Sequence, residues 1–227
     1  MSTKESKKAR RQRNDLYQWL IPAILILVVV IITASVLLYN SQASQKKVIV
    51  PATVEHPMAK DTGAGDPNAK VKVFAFEDFQ CPICGEFTKQ LEPLIMAKYV
   101  ATGKVYYQFS PFSFIGPESI TAAEAGYCAM DQGKFWEYHD MIFANQNGEN
   151  KGAFNDQALQ SFAQQIGLNT SNFNGCLSSH KYAQKVKDDK DFAVQSGATG
   201  SPYFLVNGKL VGQDQLAATI DAALAGK

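Results

Sequence analysis

Val71-Lys-Val-Phe-Ala-Phe76, followed by Glu77-Asp-Phe-Gln80 and Cys81-Pro-Ile-Cys84, is the stretch whose reading decides the fold. The first six residues are nearly all apolar, as in a central strand buried on both faces. Phe87, Leu91, Leu94, Ile95 and Tyr99 then recur at three- and four-residue spacing, the period of a helix. The two cysteines therefore fall where a strand gives way to a helix N-terminus, whose unsatisfied N–H groups and partial positive charge stabilise a thiolate. Pro82 suits the first turn of that helix, where its missing N–H costs nothing. Cys84 shares the apolar stripe with Phe87 and Leu91, so it is expected to be buried and Cys81 to be reachable. Pro93 predicts a kink near the middle of the helix. Cysteines at this spacing also make up half of many zinc sites. No second Cys-x-x-Cys occurs, however, and His56, His139 and His180 complete no recognisable ligand set. Reversible thiol–disulfide chemistry is the better reading, with neither a metal nor a cofactor expected.

Working outward, Val105-Tyr-Tyr-Gln-Phe109 reads as a second strand, rich in aromatics. Tyr203-Phe-Leu-Val206, Asn207-Gly208 and Lys209-Leu-Val211 make a hairpin with a strong turn signal. Between them, about 116–195, everything reads as helical. The expected helices are 117–132, 135–145, 156–166 and 181–195, with a short one near 170–178. A last amphipathic helix covers 213–225. The domain proper, 66–227, has 162 residues, enough for a substantial core.

The N-terminal part has a different character. Six basic residues, Lys4 to Arg13, precede the 21 uncharged residues from Trp19 to Tyr39. That length crosses a bilayer core of roughly 30 Å as a helix, and the terminal aromatics favour the two interfaces. The expected organisation is a basic cytoplasmic tail over 1–15 and a transmembrane anchor over 16–39. A tether over 40–65, dense in turn formers around Asp61-Thr-Gly-Ala-Gly-Asp-Pro-Asn68, then leads to the domain. A cleaved signal peptide is the competing reading, but its apolar region would be shorter. Val48-Ile-Val-Pro51 is compatible with a short strand or with packing on the domain. The expected location is the cell membrane, single-pass, with the domain outside the cytoplasm. There thiols are usually paired. With Cys81–Cys84 set by the motif, Cys128 is left to Cys176. Beyond residue 39 there are 16 basic and 19 acidic residues and no arginine, so nothing resembles a nucleic-acid-binding surface.

The order strand, helix, strand, helical block, hairpin, helix resembles an α/β thioredoxin fold with an inserted helical domain, here preceded by one transmembrane helix. The resemblance is to the DsbA-like thiol–disulfide oxidoreductases. Asp66-Pro-Asn-Ala-Lys-Val-Lys-Val73 and Phe76 to Cys84 are similar to that family's first strand and active site. Gly133-Lys-Phe-Trp-Glu-Tyr-His-Asp140 resembles its inserted helical region. Gly197-Ala-Thr-Gly-Ser-Pro-Tyr-Phe-Leu-Val-Asn-Gly-Lys209 resembles its cis-proline loop and hairpin, and Ala125 to Cys128 with Phe173 to Cys176 resemble the second disulfide of some exported members. The resemblance implies Cys81 as nucleophile, Cys84 as its partner, and a cis Pro202 packed against the sulfurs. Ser201 would offer backbone hydrogen bonds to an extended substrate. It also implies reduced exported proteins as substrates and a membrane partner of the DsbB or VKOR type that reoxidises the pair. One departure stands out: the inner dipeptide is Pro82-Ile83, not the Pro-His of strongly oxidising members. Potentials of such proteins run from about −270 to about −120 mV, and oxidase is the expected direction. Isomerase or reductase is the alternative within the same chemistry, and a non-catalytic exported binding or chaperone module is the alternative outside it.

Each residue also has a plainer reading. Cys81–Cys84 can be a structural disulfide, and Pro202 can merely begin a strand. Cys128–Cys176 is most simply a staple rather than a second redox pair. Glu77 and Asp78 read as a solvated strand end that can, in the sharper reading, tune the thiols or carry a proton. His139 reads as a packed structural histidine. Phe79, Phe112, Phe114 and Tyr203 suit either core packing or a peptide-binding surface.

Overall fold

The apolar runs become one five-stranded sheet in the order β1-β3-β2-β4-β5, with β1 Gly63–Ala64, β2 Val71–Glu77, β3 Val105–Pro111, β4 Tyr203–Val206 and β5 Lys209–Gly212. The computed structural model of the protein describes residues 22, 24–35, 48–52 and 54–227. β2 lies parallel to β3 and antiparallel to β4, so Ala75 sits between Phe109 and Phe204. One face of β2 is buried along its whole length, and from Ala75 to Glu77 both faces are, whereas Lys72 is exposed and Phe74 half-buried at the start of the strand. The Asn207-Gly208 turn has positive φ at both residues, the geometry a tight hairpin between β4 and β5 needs.

The helix after the motif is not one kinked rod. It runs Pro82–Gln90, breaks at Leu91, restarts as Glu92–Ile95, and continues as a wide π turn, Met96–Val100, before β3. Pro93 occupies the first turn of the restarted helix, the position where a missing N–H is harmless. The insertion between β3 and β4 comprises Pro117–Met130, Phe135–Ala144, Asp156–Gln165, Thr170–Ser178 and Ala183–Gln195. These ends fall within two residues of the sequence expectation. Gln213–Leu224 closes the chain. Phe79 at the motif stacks on Phe109 of the sheet (5.0 Å) and packs at a tilt against Phe143 of the insertion (5.1 Å), joining both parts in one core.

The domain begins earlier than residue 66. Val48 to Lys227 form one compact unit. Val48 packs on the core, and the backbone of Ile49 exchanges two 2.8 Å hydrogen bonds with the Asn145 side chain, without forming a strand. Gly63–Ala64 adds an edge strand to β3. The turn formers read as a tether serve this close fit: a Cβ on Gly63 would stand 2.1 Å from the Tyr106 hydroxyl. Of the expected N-terminal anchor, 24–35 is helical with its apolar side chains from Ile24 to Ile32 exposed. Among the described residues no helix is long and apolar enough to cross a membrane. The tail 1–15, both ends of the anchor 16–39, and 40–47 lie outside the described residues.

Candidate active site

Cys81 is the N-cap of helix Pro82–Gln90, in extended backbone conformation, and its sulfur accepts the Cys84 backbone N–H at 3.5 Å. The Cys81 thiol in turn donates to the Ser201 carbonyl at 3.6 Å, across a Ser201–Pro202 peptide that is cis. Two segments 120 residues apart in sequence thus meet at one sulfur. Cys81 and Cys84 carry free thiols and both are buried, so Cys81 is less open than the helical stripe suggests; it keeps 6% of its surface exposed and Cys84 none.

That asymmetry separates their acidities. The Cys81 thiol is lowered to about 6. The main cause is donation from the Cys84 thiol, which outweighs burial. The Ser201 hydroxyl and the backbone N–H groups of Cys84 and Ile83 add to it. The Ser201 hydroxyl is buried without a partner of its own in the thiol form, so it is placed to turn to a thiolate. Cys84 is pushed well above the ordinary thiol value, first by burial, then by donating to Cys81, then by the nearby Glu77 charge.

Glu77 and Asp78 are not a solvated strand end; both are fully buried. β2 ends beneath the motif, inside the crossing between sheet and insertion, so its last residues cannot reach water. Asp78 is an anchor. Its carboxylate accepts the backbone N–H groups of Gln80 (2.8 Å), Phe114 (2.9 Å) and Ile115 (3.1 Å), tying the motif loop to the loop after β3. Glu77 accepts from the Tyr107 hydroxyl at 3.2 Å through one oxygen, while the other has no partner. Burial, then the charge of Glu92, pushes the Glu77 carboxyl well above its usual range.

Gln146 gave no sequence signal, yet it clasps the loop. Its side-chain amide donates to the carbonyls of Phe79 (2.7 Å) and Cys81 (3.0 Å) from just beyond the insertion helix Phe135–Ala144. Gly85 makes room for it, since a Cβ there would stand 2.2 Å from the Gln146 side-chain oxygen. Of the four aromatics considered for a binding surface, Phe79 and Phe112 are buried, Tyr203 is half-buried, and Phe114 alone is exposed. Ile83, half exposed, stands beside the sulfurs as the other apolar surface there.

Cys128 and Cys176 are joined, with 5.8 Å between their Cα atoms, and staple Pro117–Met130 to Thr170–Ser178. His139 is packed at 0% exposure, as read. His56 and His139 converge with Glu92, through contacts that no local pattern records. His180 stands apart, 3.1 Å from Glu124.

The sequence model of the family described as Thioredoxin matches residues 59–225. The chain is similar to the probable disulfide bond formation protein D of Bacillus anthracis, with 28% identity over 194 residues, covering 84% of this chain and 86% of that protein. It is also 31% identical over 173 residues to the Na(+)/H(+) antiporter NhaA 1 of Salinispora arenicola, covering 74% of this chain. There it spans about a quarter of the relative's length, 25%. Among solved structures, oxidised BdbD from Bacillus subtilis superposes with a TM-score of 0.68 at 23% identity, over 77% of this chain and 98% of that one. Wolbachia pipientis alpha-DsbA1 superposes at 0.65 with 24% identity, over 75% and 94%. At these identities the superpositions show the shared fold.

Proposed function

The chain belongs to the thioredoxin family as a DsbA-like thiol–disulfide oxidoreductase, and from that premise we propose that it is an extracytoplasmic oxidase introducing disulfides into exported proteins. The observation that carries this reading is the unequal pair: a Cys81 thiolate stabilised near pH 6 beside a buried, high-pKa Cys84. Stabilising the Cys81 thiolate stabilises the reduced enzyme, which makes the disulfide form the stronger oxidant.

In the forward reaction a substrate thiolate attacks Cys81 Sγ of the Cys81–Cys84 disulfide. The substrate–Cys81 bond forms as the Cys81–Cys84 bond breaks, and Cys84 takes up a proton that its raised pKa retains. A second substrate thiolate attacks the substrate sulfur of this mixed disulfide and expels Cys81 as a stabilised thiolate. The substrate loses two electrons, and the pair gains them. Glu77, buried and electrostatically coupled to both sulfurs, is the group suited to hold the proton that Cys84 exchanges. Ser201 beside the cis Pro202 offers an extended substrate segment its backbone, and exposed Ile83 and Phe114 offer apolar contact.

The extracytoplasmic placement is supported by the basic tail and uncharged 21-residue run of the sequence, and by the structural Cys128–Cys176 bond. An oxidase working there is reduced at each turnover, which calls for a membrane partner of the DsbB or VKOR type to reoxidise it.

The test is oxidation of a reduced, unfolded test protein by the preoxidised enzyme, alongside equilibration of the pair with glutathione. The expected outcome is rapid oxidation, abolished by Cys81→Ser, with a potential toward the −120 mV end of the range of about −270 to −120 mV. Full activity in Cys81→Ser would overturn the site assignment. A potential at the reducing end would overturn the direction while leaving the chemistry.

A further inference from the structure

Among the described residues, one buried polar cluster leaves its converging donor atoms without hydrogen-bond partners. His56 comes from the segment before β1, Glu92 from the restart of the motif helix, and His139 from the insertion helix Phe135–Ala144. Each offers one donor atom, and the three atoms lie within 4.8 Å of one another. Their side chains are 4%, 1% and 0% exposed. His56 Nε2, both carboxylate oxygens of Glu92, and His139 Nε2 are all buried without a hydrogen-bond partner. Buried polar groups are nearly always paired, and a buried carboxylate with neither oxygen bonded is a costly exception.

The contacts within the cluster are not hydrogen bonds. His56 Nε2 stands 3.8 Å from Glu92 Oε1 and 3.8 Å from Asp140 Oδ1, beyond hydrogen-bond range. That spacing suits donors that face a common centre rather than one another, since a tetrahedral shell with bonds of ~2.1 Å keeps its donors ~3.4 Å apart. The rings are held in place from outside. His139 Nδ1 lies 3.0 Å from Asp140 Oδ1, which leaves Nε2 as the free nitrogen, the carboxylate–histidine pairing seen behind metal ligands. The His56 ring stacks on Trp136 at 4.2 Å, and the Trp136 indole N–H is bound to the Gly63 carbonyl at 3.0 Å. A surface cleft lined by His56, Trp136 and Asp140 opens to solvent beside the cluster and gives an ion access.

We propose that His56, Glu92 and His139 form a binding site for one divalent metal ion, zinc by its donor set, with Asp140 orienting His139. Two imidazoles and one carboxylate match zinc and leave a fourth position for water. The ion ties the N-terminal segment, the motif helix and the insertion together at a point apart from Cys81 and Cys84.

The experiment uses the full-length protein, oxidised so that Cys81 and Cys84 are closed to metal, stripped with a chelator and titrated with zinc against a chromophoric competitor. About one equivalent is expected to bind, with a rise in Tm, and Asp140→Asn should weaken binding roughly 10–100-fold. Glu92→Gln should weaken it further. Cobalt(II) in the same protein should give visible bands of a nitrogen–oxygen site without a sulfur charge-transfer band. The absence of stoichiometric zinc binding by the wild-type protein would overturn the proposal, leaving a buried polar cluster only. So would binding unchanged in Glu92→Gln, or a cobalt spectrum showing sulfur ligation. If Glu92→Gln fails to fold, the wild-type cobalt spectrum decides alone.

Discussion

The backbone N–H of Cys84 points at the sulfur of Cys81 from 3.5 Å, so a free donor of the helix's first turn serves the thiol that caps it. A helix start is normally capped by an oxygen. With sulfur there, the same donor that a cap satisfies favours a negative charge on the reactive atom. The helix, the Cys84 thiol and Ser201 act on Cys81 together, and each can be tested separately.

Alkylation of the reduced protein should report the Cys81 acidity directly. The rate is expected to stay high at neutral pH and to fall to half near pH 6. Cys84→Ala, which removes the largest cause of the shift, should move that midpoint upward. The potential should follow suit. Between about pH 6 and the higher Cys84 value, reduction takes up one proton, so the potential falls ~30 mV per pH unit; below pH 6 it falls ~59 mV. A uniform slope of ~59 mV across neutral pH would refute the thiolate.

Glu77→Gln should make the protein more stable at neutral pH while slowing thiol exchange. The folded carboxyl is raised above its unfolded value, so the native state binds more protons. Its stabilising contribution is therefore present at low pH and is lost as pH climbs from the unfolded value toward the folded one. Chemical denaturation at acid and neutral pH should show the variant losing that decline. Stopped-flow reduction should show the slower proton exchange at Cys84.

Gln146→Ala deprives the Phe79 and Cys81 carbonyls of a shared donor. A loss of about 1–3 kcal/mol in urea unfolding is expected from the unmade bonds, together with slower exchange as the motif loop loosens. Gly85→Ala should reproduce part of this by displacing the Gln146 side chain, which stands too close for a Cβ. Asp78→Asn offers a comparison: it keeps the shape but weakens three charge-assisted bonds at the other side of the loop.

Replacing Cys128 and Cys176 together with serine should lower stability by roughly 4 kcal/mol, the chain-entropy value for cysteines 48 residues apart. The reactivity of Cys81 is expected to stay unchanged, because the staple lies within the insertion. Electron transfer between the two pairs, seen as partial reduction of Cys128–Cys176 during turnover, would contradict a purely structural bond.

Much of the site was legible from local pattern. Cys81-Pro82-Ile83-Cys84 at a strand-to-helix junction located the thiols, the apolar stripe through Cys84 and Phe87 told which of them is the more deeply buried, and the Asn207-Gly208 turn located the hairpin after Ser201-Pro202. The parts that escaped are those made by distant segments. Glu77 and Asp78 looked like solvated residues because charge usually marks a surface, yet the insertion folds over the end of β2 and leaves them no water. Gln146 looked like loop polarity until its amide met two carbonyls more than sixty residues away. Gly63 looked like part of a tether because a close-fitting edge strand and a flexible linker draw on the same small residues.

Apart from the edge strand Gly63–Ala64 and the break at Leu91, the sequence by itself determined the elements, their order, and the pairing of reactive chemistry with a helix N-terminus, because periodicity and capping depend on residues within a turn or two of each other. Only the tertiary structure decided the acidity of Cys81, the burial of Glu77, the domain start at Val48, and the meeting of His56, Glu92 and His139. Those depend on exclusion of water and on distances between side chains far apart along the chain. Such properties arise only when the segments are packed together.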